Sequence, residues 1–499
     1  MSVGRSVATQ ILFGGLTQLL VSLRGLIIMP IIVKTAGESV FGSYVLLSSI
    51  VVFAGGISAF GTDYTYRRSL PATDGARQRR DLMMPALAFR LVSVSVLAAL
   101  LYAGGPALFG LMGESMPFSP AYLVLWLFGL MVHDYATTYY RYTNRFGIYN
   151  LLTIGQIYVH IGAAVALVFW GQGLDLDMLL LLQGGSLLAL SFPTLVFGVF
   201  RETGLCIPRF DWPQFRADAR LGLPLTGEFI VDFLVAFGDR YLVGLFLSMA
   251  AVGQYQSSYA LAGLLAFFPK MLATVLPPPL CRLWDEGKHH EVEELVSQSL
   301  RLFLVLAIPF VVGALMAGPS VVALLTTPAM ALAGRWAVAL ISAGMLFYGM
   351  VILLSGVAFV TRQTSVILTA NVIAVIGNLG LNAALLPFYP DVTVPAAVSV
   401  VAYGLSFSYA LYKIRPRLRI AFRWPSLLRS LLAAGVMGGG LFAFGYAPGA
   451  LGPTQVGLVG LHISAAIVLY FGVFLLIGGL SAADRQALIG LIRQKSRSA

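Results

Sequence analysis

Residues 336–360 read WAVALISAGMLFYGMVILLSGVAFV, an apolar run of 25 residues without one charged side chain. A helix rising 1.5 Å per residue needs roughly 20 such residues to cross the hydrocarbon of a bilayer. Working outward, runs of similar size lie at 302–327, 252–275, 222–247, 177–199, 150–170, 120–140, 83–112, 40–62 and 8–33 on one side. On the other they lie at 366–388, 393–412, 428–446 and 457–479. The pattern predicts an all-α polytopic membrane protein with fourteen spans.

Composition agrees. Of 499 residues 58% are hydrophobic and 11% charged, against about 45–50% and about 25% in soluble domains. That excludes a soluble enzyme with one buried core, and equally a disordered chain. The first run, reaching Ile32 with Arg24 inside it, is too long for the apolar region of a signal peptide and reads as a retained span. Cys206 and Cys281 are far apart, so neither a disulfide framework nor a C-x-x-C metal motif is expected.

The net charge of +11 raises the question of nucleic acid, which the positions of the charges answer. Connectors alternate between long basic ones (63–82, 141–149, 200–221, 276–301, 361–365, 413–427 and the tail from Ser481) and short neutral ones. With Arg5 and Arg429, the long set carries 26 of the 32 Lys and Arg residues. The short set carries two, Lys34 and Arg335. The positive-inside rule places the long set, and both termini, in the cytoplasm. Topology accounts for the charge, and no nucleic-acid partner is expected. The largest inner connector includes 281–301, CRLWDEGKHHEVEELVSQSLR, which reads as an amphipathic helix at the interface. Its His289, His290 and glutamates read as a solvated face, so no metal or cofactor is expected.

An internal repeat is visible. Val40-Phe41-Gly42-Ser43-Tyr44 follows one span with an internal arginine, Arg24, and Ala251-Val252-Gly253-Gln254-Tyr255 follows another, with Arg240. The interval is six spans, which suggests a parallel repeat of two six-helix lobes, a plan that transporters use. The expected division is residues 1–221, 222–412 and an additional span pair with the tail at 413–499.

A charge at the bilayer centre costs roughly 2.5–3.5 kcal/mol on insertion scales, so each needs a reason. Arg24 lies about nine residues, or ~13 Å, from the outer end of its span, too deep for comfortable snorkelling. It reads as facing an aqueous cavity or as part of an ion pair. Arg90 and Lys270 lie nearer the inner ends of their spans and read as cavity cations or as anchors. Cations around a cavity suit an anionic headgroup such as a diphosphate. Glu228, Asp232 and Asp239 fall within ~40° on one helix face, with Arg240 off that stripe. They read as a coupling or gating site for H⁺ or Na⁺, or as partners of arginines on neighbouring helices. Asn371, Asn378 and Asn382 form a second stripe that either lines a cavity or bonds helices together. His133 and Asp134 could relay a proton, and Tyr135, Tyr139, Tyr140 and Tyr142 beside them fit an interfacial belt.

At this point the residues resemble a family, the bacterial polysaccharide-unit flippases of the Wzx type. These belong to the multidrug/oligosaccharidyl-lipid/polysaccharide exporter superfamily. The resemblance rests on Leu23-Arg24-Gly25-Leu26-Ile27-Ile28-Met29-Pro30, Phe41-Gly42-Ser43-Tyr44 and Phe60-Gly61. It also rests on Asp239-Arg240-Tyr241-Leu242-Val243-Gly244, Val252-Gly253-Gln254-Tyr255, and Asn378-Leu379-Gly380-Leu381-Asn382 with Leu386-Pro387. The stretch Phe388-Tyr389-Pro390-Asp391-Val392 departs from the Gly-rich turn usual at that place. The resemblance implies translocation of an undecaprenyl-diphosphate-linked oligosaccharide across a bacterial inner membrane by alternating access, for O-antigen, capsule or exopolysaccharide assembly. It implies polymerase and chain-length machinery as partners, and cavity cations at Arg24, Arg90 and Lys270. The alternatives are a cation-coupled small-molecule exporter of the same superfamily, a membrane enzyme of glycan assembly, and a scaffold. The longest outer loop, YAPGALGPTQ at 446–455, has no ionisable side chain except its tyrosine, and no H-E-x-x-H, G-x-S-x-G or P-loop occurs. An enzyme is therefore not expected.

Overall fold

The computed structural model describes residues 17, 20–21, 23–60, 67–73, 75–111, 118–207, 212–443 and 455–479, and among these the ordered elements are helices. In chain order the long ones are α1 (23–36), α2 (Glu38–Ser58), α3 (Ala76–Leu111), α4 (Pro120–Tyr142), α5 (Phe146–Phe169), α6 (Leu176–Thr203) and α7 (Trp212–Phe246). After them come α8 (Met249–Val275), α9 (His289–Leu325), α10 (Ala337–Val360), α11 (Thr364–Leu385), α12 (Thr393–Ile414), α13 (Trp424–Ala443) and α14 (Gln455–Leu476). Eleven helices among the described residues are long and apolar enough to cross a membrane, all but α1, α4 and α7. In α4 the apolar run is broken by His133 and Asp134, and in α7 by Glu228, Asp232, Asp239 and Arg240.

Local chemistry sets several boundaries. Gly37 separates α1 from α2 at φ 92°, a conformation that costs glycine least. The Asp175 carboxylate caps α6 by accepting from the Met178 N–H at 2.8 Å. Beyond Pro193, which cannot donate to the helix ladder, α6 widens into a π turn over Thr194–Phe200.

Close packing divides the described residues into two compact units. The first holds those up to Gln256 together with Leu379–Asp391, and the second holds Ser257–Asn378 and those from Val392 onward. These divisions differ from the lobes read from repeat order at 221 and 412. Here α7 and the start of α8 pack with the N-terminal helices.

The reason lies in the repeat motifs. An ideal Cβ on Gly42 would stand 1.8 Å from the Met249 carbonyl oxygen, and one on Gly253 would stand 2.6 Å from that of Glu38. The two repeat glycines therefore let α2 and α8 meet backbone to backbone. The Gln254 amide donates to Glu38 at 3.1 Å beside them. Deeper along α2, Ser49 and Tyr241 share a hydrogen bond of 2.7 Å, and the Phe53 and Phe233 rings lie 4.6 Å apart. At another edge of this unit Glu202 accepts from Arg79 and Arg145, at 3.0 and 2.6 Å, tying the ends of α3 and α6 to the turn before α5.

In the second unit, α13 and α14 pack on α9. The Tyr470 hydroxyl donates to the Val305 carbonyl at 2.6 Å and lies 2.8 Å from Ser430 Oγ, among Ala433, Ala434, Met437 and Phe474. The first turns of α9 hold the 415–423 connector: Glu293 accepts from the Arg419 N–H at 2.7 Å, and Glu294 pairs with Arg423.

Two expectations are corrected. The 281–301 segment is not one interfacial helix: a short helix Pro277–Asp285 ends at Gly287, φ 74°, and His289 already begins α9. The left-handed turn breaks the segment, and its glutamates bond the 415–423 connector. Nor do the tyrosines of α4 form a belt. Tyr135, Tyr139 and Tyr140 are buried, and Tyr135 donates to the Met83 carbonyl at 2.6 Å. A phenol that finds a backbone acceptor can be drawn inside with its ring.

Replacing Gly42 by Val should destabilise the protein by about 1–3 kcal/mol or more, because the methyls meet backbone rather than a yielding side chain. Thermal unfolding in detergent should show a clear drop for Gly42→Val. It should show little change for Gly162→Ala, where a Cβ meets nothing within 4 Å.

Candidate functional site

Arg24, Arg90 and Arg240, the three arginines that lie within the apolar runs of the first unit, have different partners. Arg240 and Asp239 on α7 are each 2% exposed and form an ion pair of 3.1 Å. The pair is fully furnished: Tyr255 donates to Asp239 at 2.6 Å, Arg240 Nε donates to Gln256 at 2.6 Å, and its Nη1 reaches the Ala236 carbonyl. Neutralised and hydrogen-bonded, the two charges can remain buried. The arginine stands off the acidic stripe at its Cα, yet the long side chain folds back along its own helix to reach it.

Arg90 on α3 is 3% exposed and donates to Asp134 on α4 at 2.7 Å. The sequence offered Arg90 as a cavity cation or an anchor and Asp134 as part of a proton relay; the structure joins the two in one pair. His133 turns instead to Ser191 on α6, with Nδ1 2.8 Å from the hydroxyl oxygen.

Arg24 is different. Half-buried on α1, it donates to Gln183 on α6 at 2.5 Å and to the Tyr44 hydroxyl on α2 at 3.4 Å, and Tyr44 in turn donates to Gln183 at 3.3 Å. Both partners are neutral, so among the described residues the positive charge is held in place without being cancelled. The Tyr44 ring stacks between Trp126 and His160, at 5.8 and 6.4 Å.

The acidic stripe of α7 divides in two. Asp239 is buried in the ion pair, whereas Glu228 and Asp232 are exposed. Lys270 of α8, in the second unit, is also exposed, and among the described residues its ammonium has no hydrogen-bond or ion-pair partner. In the asparagine stripe of α11, Asn371 is half-buried, Asn382 is fully buried, and Asn378 donates to Ser399 on α12 at 3.1 Å. For Asn378 the structure realises the helix-bonding alternative.

Sequence reasoning did not single out Gln183, His160 or the site role of Tyr44. The available signal was modest: a glutamine and a histidine deep inside otherwise apolar spans. Tyr44 had been noticed only as the end of a repeat, and the structure explains the recurrence. The tyrosine two residues beyond each repeat glycine reaches the network of the preceding arginine, Tyr44 at Arg24 and Tyr255 at Asp239–Arg240.

Arg240→Met should cost about 3–5 kcal/mol, since Asp239 is left buried and uncompensated. The double variant Asp239→Leu with Arg240→Met should recover much of that loss. Denaturant titration of the purified protein in mixed micelles would read both, and equal losses would show that the pair does not act as a unit.

Known proteins resemble this chain in sequence and in fold. Residues 121–329 match the model of a family described as polysaccharide biosynthesis protein. The probable low-salt glycan biosynthesis flippase Agl15 of Haloferax volcanii is 21% identical over 445 residues, 88% of each chain. Among solved structures, lipid II flippase MurJ in an inward closed conformation superposes with a TM-score of 0.73 at 14% identity, over 93% of this chain and 98% of that one. An inward-facing multidrug resistance MATE family transporter of the MOP superfamily gives 0.64 at 13% identity, over 85% and 96%. The chain is thus a multi-pass membrane protein with a fold similar to that of these transporters, and its residues 121–329 match the family described as polysaccharide biosynthesis protein.

Proposed function

We propose that this protein is a flippase that moves a lipid-linked oligosaccharide, carried on a polyprenyl diphosphate such as undecaprenyl diphosphate, between leaflets by alternating access. The observation that carries the reading is the contrast among the arginines. Arg90 and Arg240 have carboxylate partners, whereas Arg24 is held by Tyr44 and Gln183 and keeps its charge for an anionic headgroup. The matched family and the curated flippase relative support a glycan substrate. They favour transport over the catalysis of a membrane enzyme. Lys270 is a second candidate headgroup contact, and the exposed Glu228 and Asp232 are candidates for gating or for coupling to H⁺ or Na⁺. Within this reading the chain has fourteen spans with both termini in the cytoplasm of a bacterial inner membrane. It supplies repeat units for O-antigen, capsule or exopolysaccharide, and works beside a polymerase and chain-length machinery.

A second reading, a cation-coupled exporter of small molecules, draws on the same two exposed carboxylates and on the likeness to the MATE transporter. The two readings want opposite charges at the binding site.

A leaflet assay in proteoliposomes separates them. A fluorescent polyprenyl-diphosphate oligosaccharide should become accessible to an external reagent faster with the protein than without it. Arg24→Ala should slow that transfer at least about tenfold, since a charge-assisted contact worth ~1.5–3 kcal/mol is lost. Unchanged transfer in Arg24→Ala would remove the headgroup assignment. Ion-driven efflux of a cationic dye with no lipid transfer would instead establish the second reading.

A further inference from the structure

His160 is the buried titratable group that the site described above leaves unused. It lies on α5, nine residues before Phe169, or ~14 Å from that end by helical rise. It is 0% exposed, and among the described residues neither ring nitrogen makes a hydrogen bond. One turn away on the same helix Gln156, 5% exposed, has an amide nitrogen equally unpartnered. Buried polar groups are nearly always satisfied, and exceptions call for an explanation.

The surroundings supply one. The charged or titratable groups facing His160 among the described residues are Arg24 from α1 and Tyr44 from α2, while α6 presents the Leu182 carbonyl. No carboxylate is among them. As the side chains stand, a proton on His160 would place a second positive charge beside Arg24 in a poorly screened interior, where like charges repel strongly. A diphosphate ester is a dianion, and Arg24 offers a single charge.

We infer that His160 is a proton-binding site that fills when an anionic diphosphate headgroup engages Arg24, so that a cation pair, Arg24 and protonated His160, balances the dianion. The inference rests on the reading of Arg24 as the headgroup residue and adds a second ligand, the proton. Burial and the charge of Arg24 both oppose a proton on the ring; a bound dianion outweighs the single charge of Arg24 and leaves net negative charge beside the imidazole, which offsets both. By linkage, protonation in turn strengthens headgroup binding by the same factor. The bound unit then crosses the bilayer with its charge cancelled, as low-dielectric passage demands.

Calorimetry on the purified full chain with a short-chain polyprenyl-diphosphate-linked sugar tests this, because the phosphodiester linkages of the probe do not titrate near neutrality. Binding should tighten roughly tenfold or more from about pH 8 to about pH 6, spanning the ordinary histidine pKa of about 6.5. Buffers of different ionisation heat should report uptake of close to one proton per probe bound. His160→Gln, or His160→Asn if the first variant does not fold, should still bind but lose both effects. Binding by the parent protein without proton uptake, or uptake persisting in the variant, would overturn the inference and leave the flippase reading intact. Absence of binding at every pH would overturn both. The uptake measurement on the parent protein stands even if neither variant folds.

Discussion

A charged side chain within hydrocarbon must be cancelled or wetted, and that constraint organises the first unit more than any apolar contact does. Two of its intramembrane arginines satisfy it with carboxylates, Arg90 through Asp134 on the neighbouring helix and Arg240 through Asp239 on its own. Around the second pair Tyr255 and Gln256 fill the remaining hydrogen-bonding positions, which makes burial of two charges sustainable. Among the described residues, Arg24 is held by dipoles alone. A charge stabilised by hydroxyl and amide groups keeps its field, and a field in a poorly polarisable interior is what can draw an anion from the membrane surface.

The same constraint separates what the sequence makes legible from what it hides. Spans are legible because crossing a bilayer demands about 20 apolar residues in a row, a requirement that lies within one stretch of chain and involves no neighbouring helix. The intramembrane arginines and the stripe of α7 are legible for the same reason, since any polar residue stands out in such a run. Pairings are not. Arg90 and Asp134 lie 44 positions apart, and helical phase says nothing of which helix stands beside which. Asp239 and Arg240 are adjacent, but their pairing depends on an arginine side chain bending along its helix, which Cα geometry does not convey. The tyrosines of α4 mislead in the opposite direction: their clustering looks interfacial until the Met83 carbonyl shows where one of the hydroxyls goes. His160 escapes attention because a lone histidine in a span carries no pattern at all.

Membrane helices lack a hydrophobic drive to associate and depend on close fit and hydrogen bonds instead. Both devices recur. Tyr470 bonds α14 to α9 through a carbonyl left accessible on the helix, and Ser49 with Tyr241 does similar work between α2 and α7. The additional helices α13 and α14 are thereby fixed to α9, α14 through Tyr470 and α13 through Ser430 and the connector that precedes it. The Glu202 carboxylate gathers Arg79 and Arg145 from two basic connectors. Basic residues of the connectors thus lock helix ends by their placement.

The contact between Gly42 and Gly253 bears on how such a chain can change over time. Each glycine is confined by the backbone opposite it, so neither position can drift to a larger residue while its counterpart keeps the same approach. Two stretches that look alike in the sequence are therefore not merely relics of a common pattern. They are held alike by touching one another, and across descendants the two positions should vary jointly or stay fixed together.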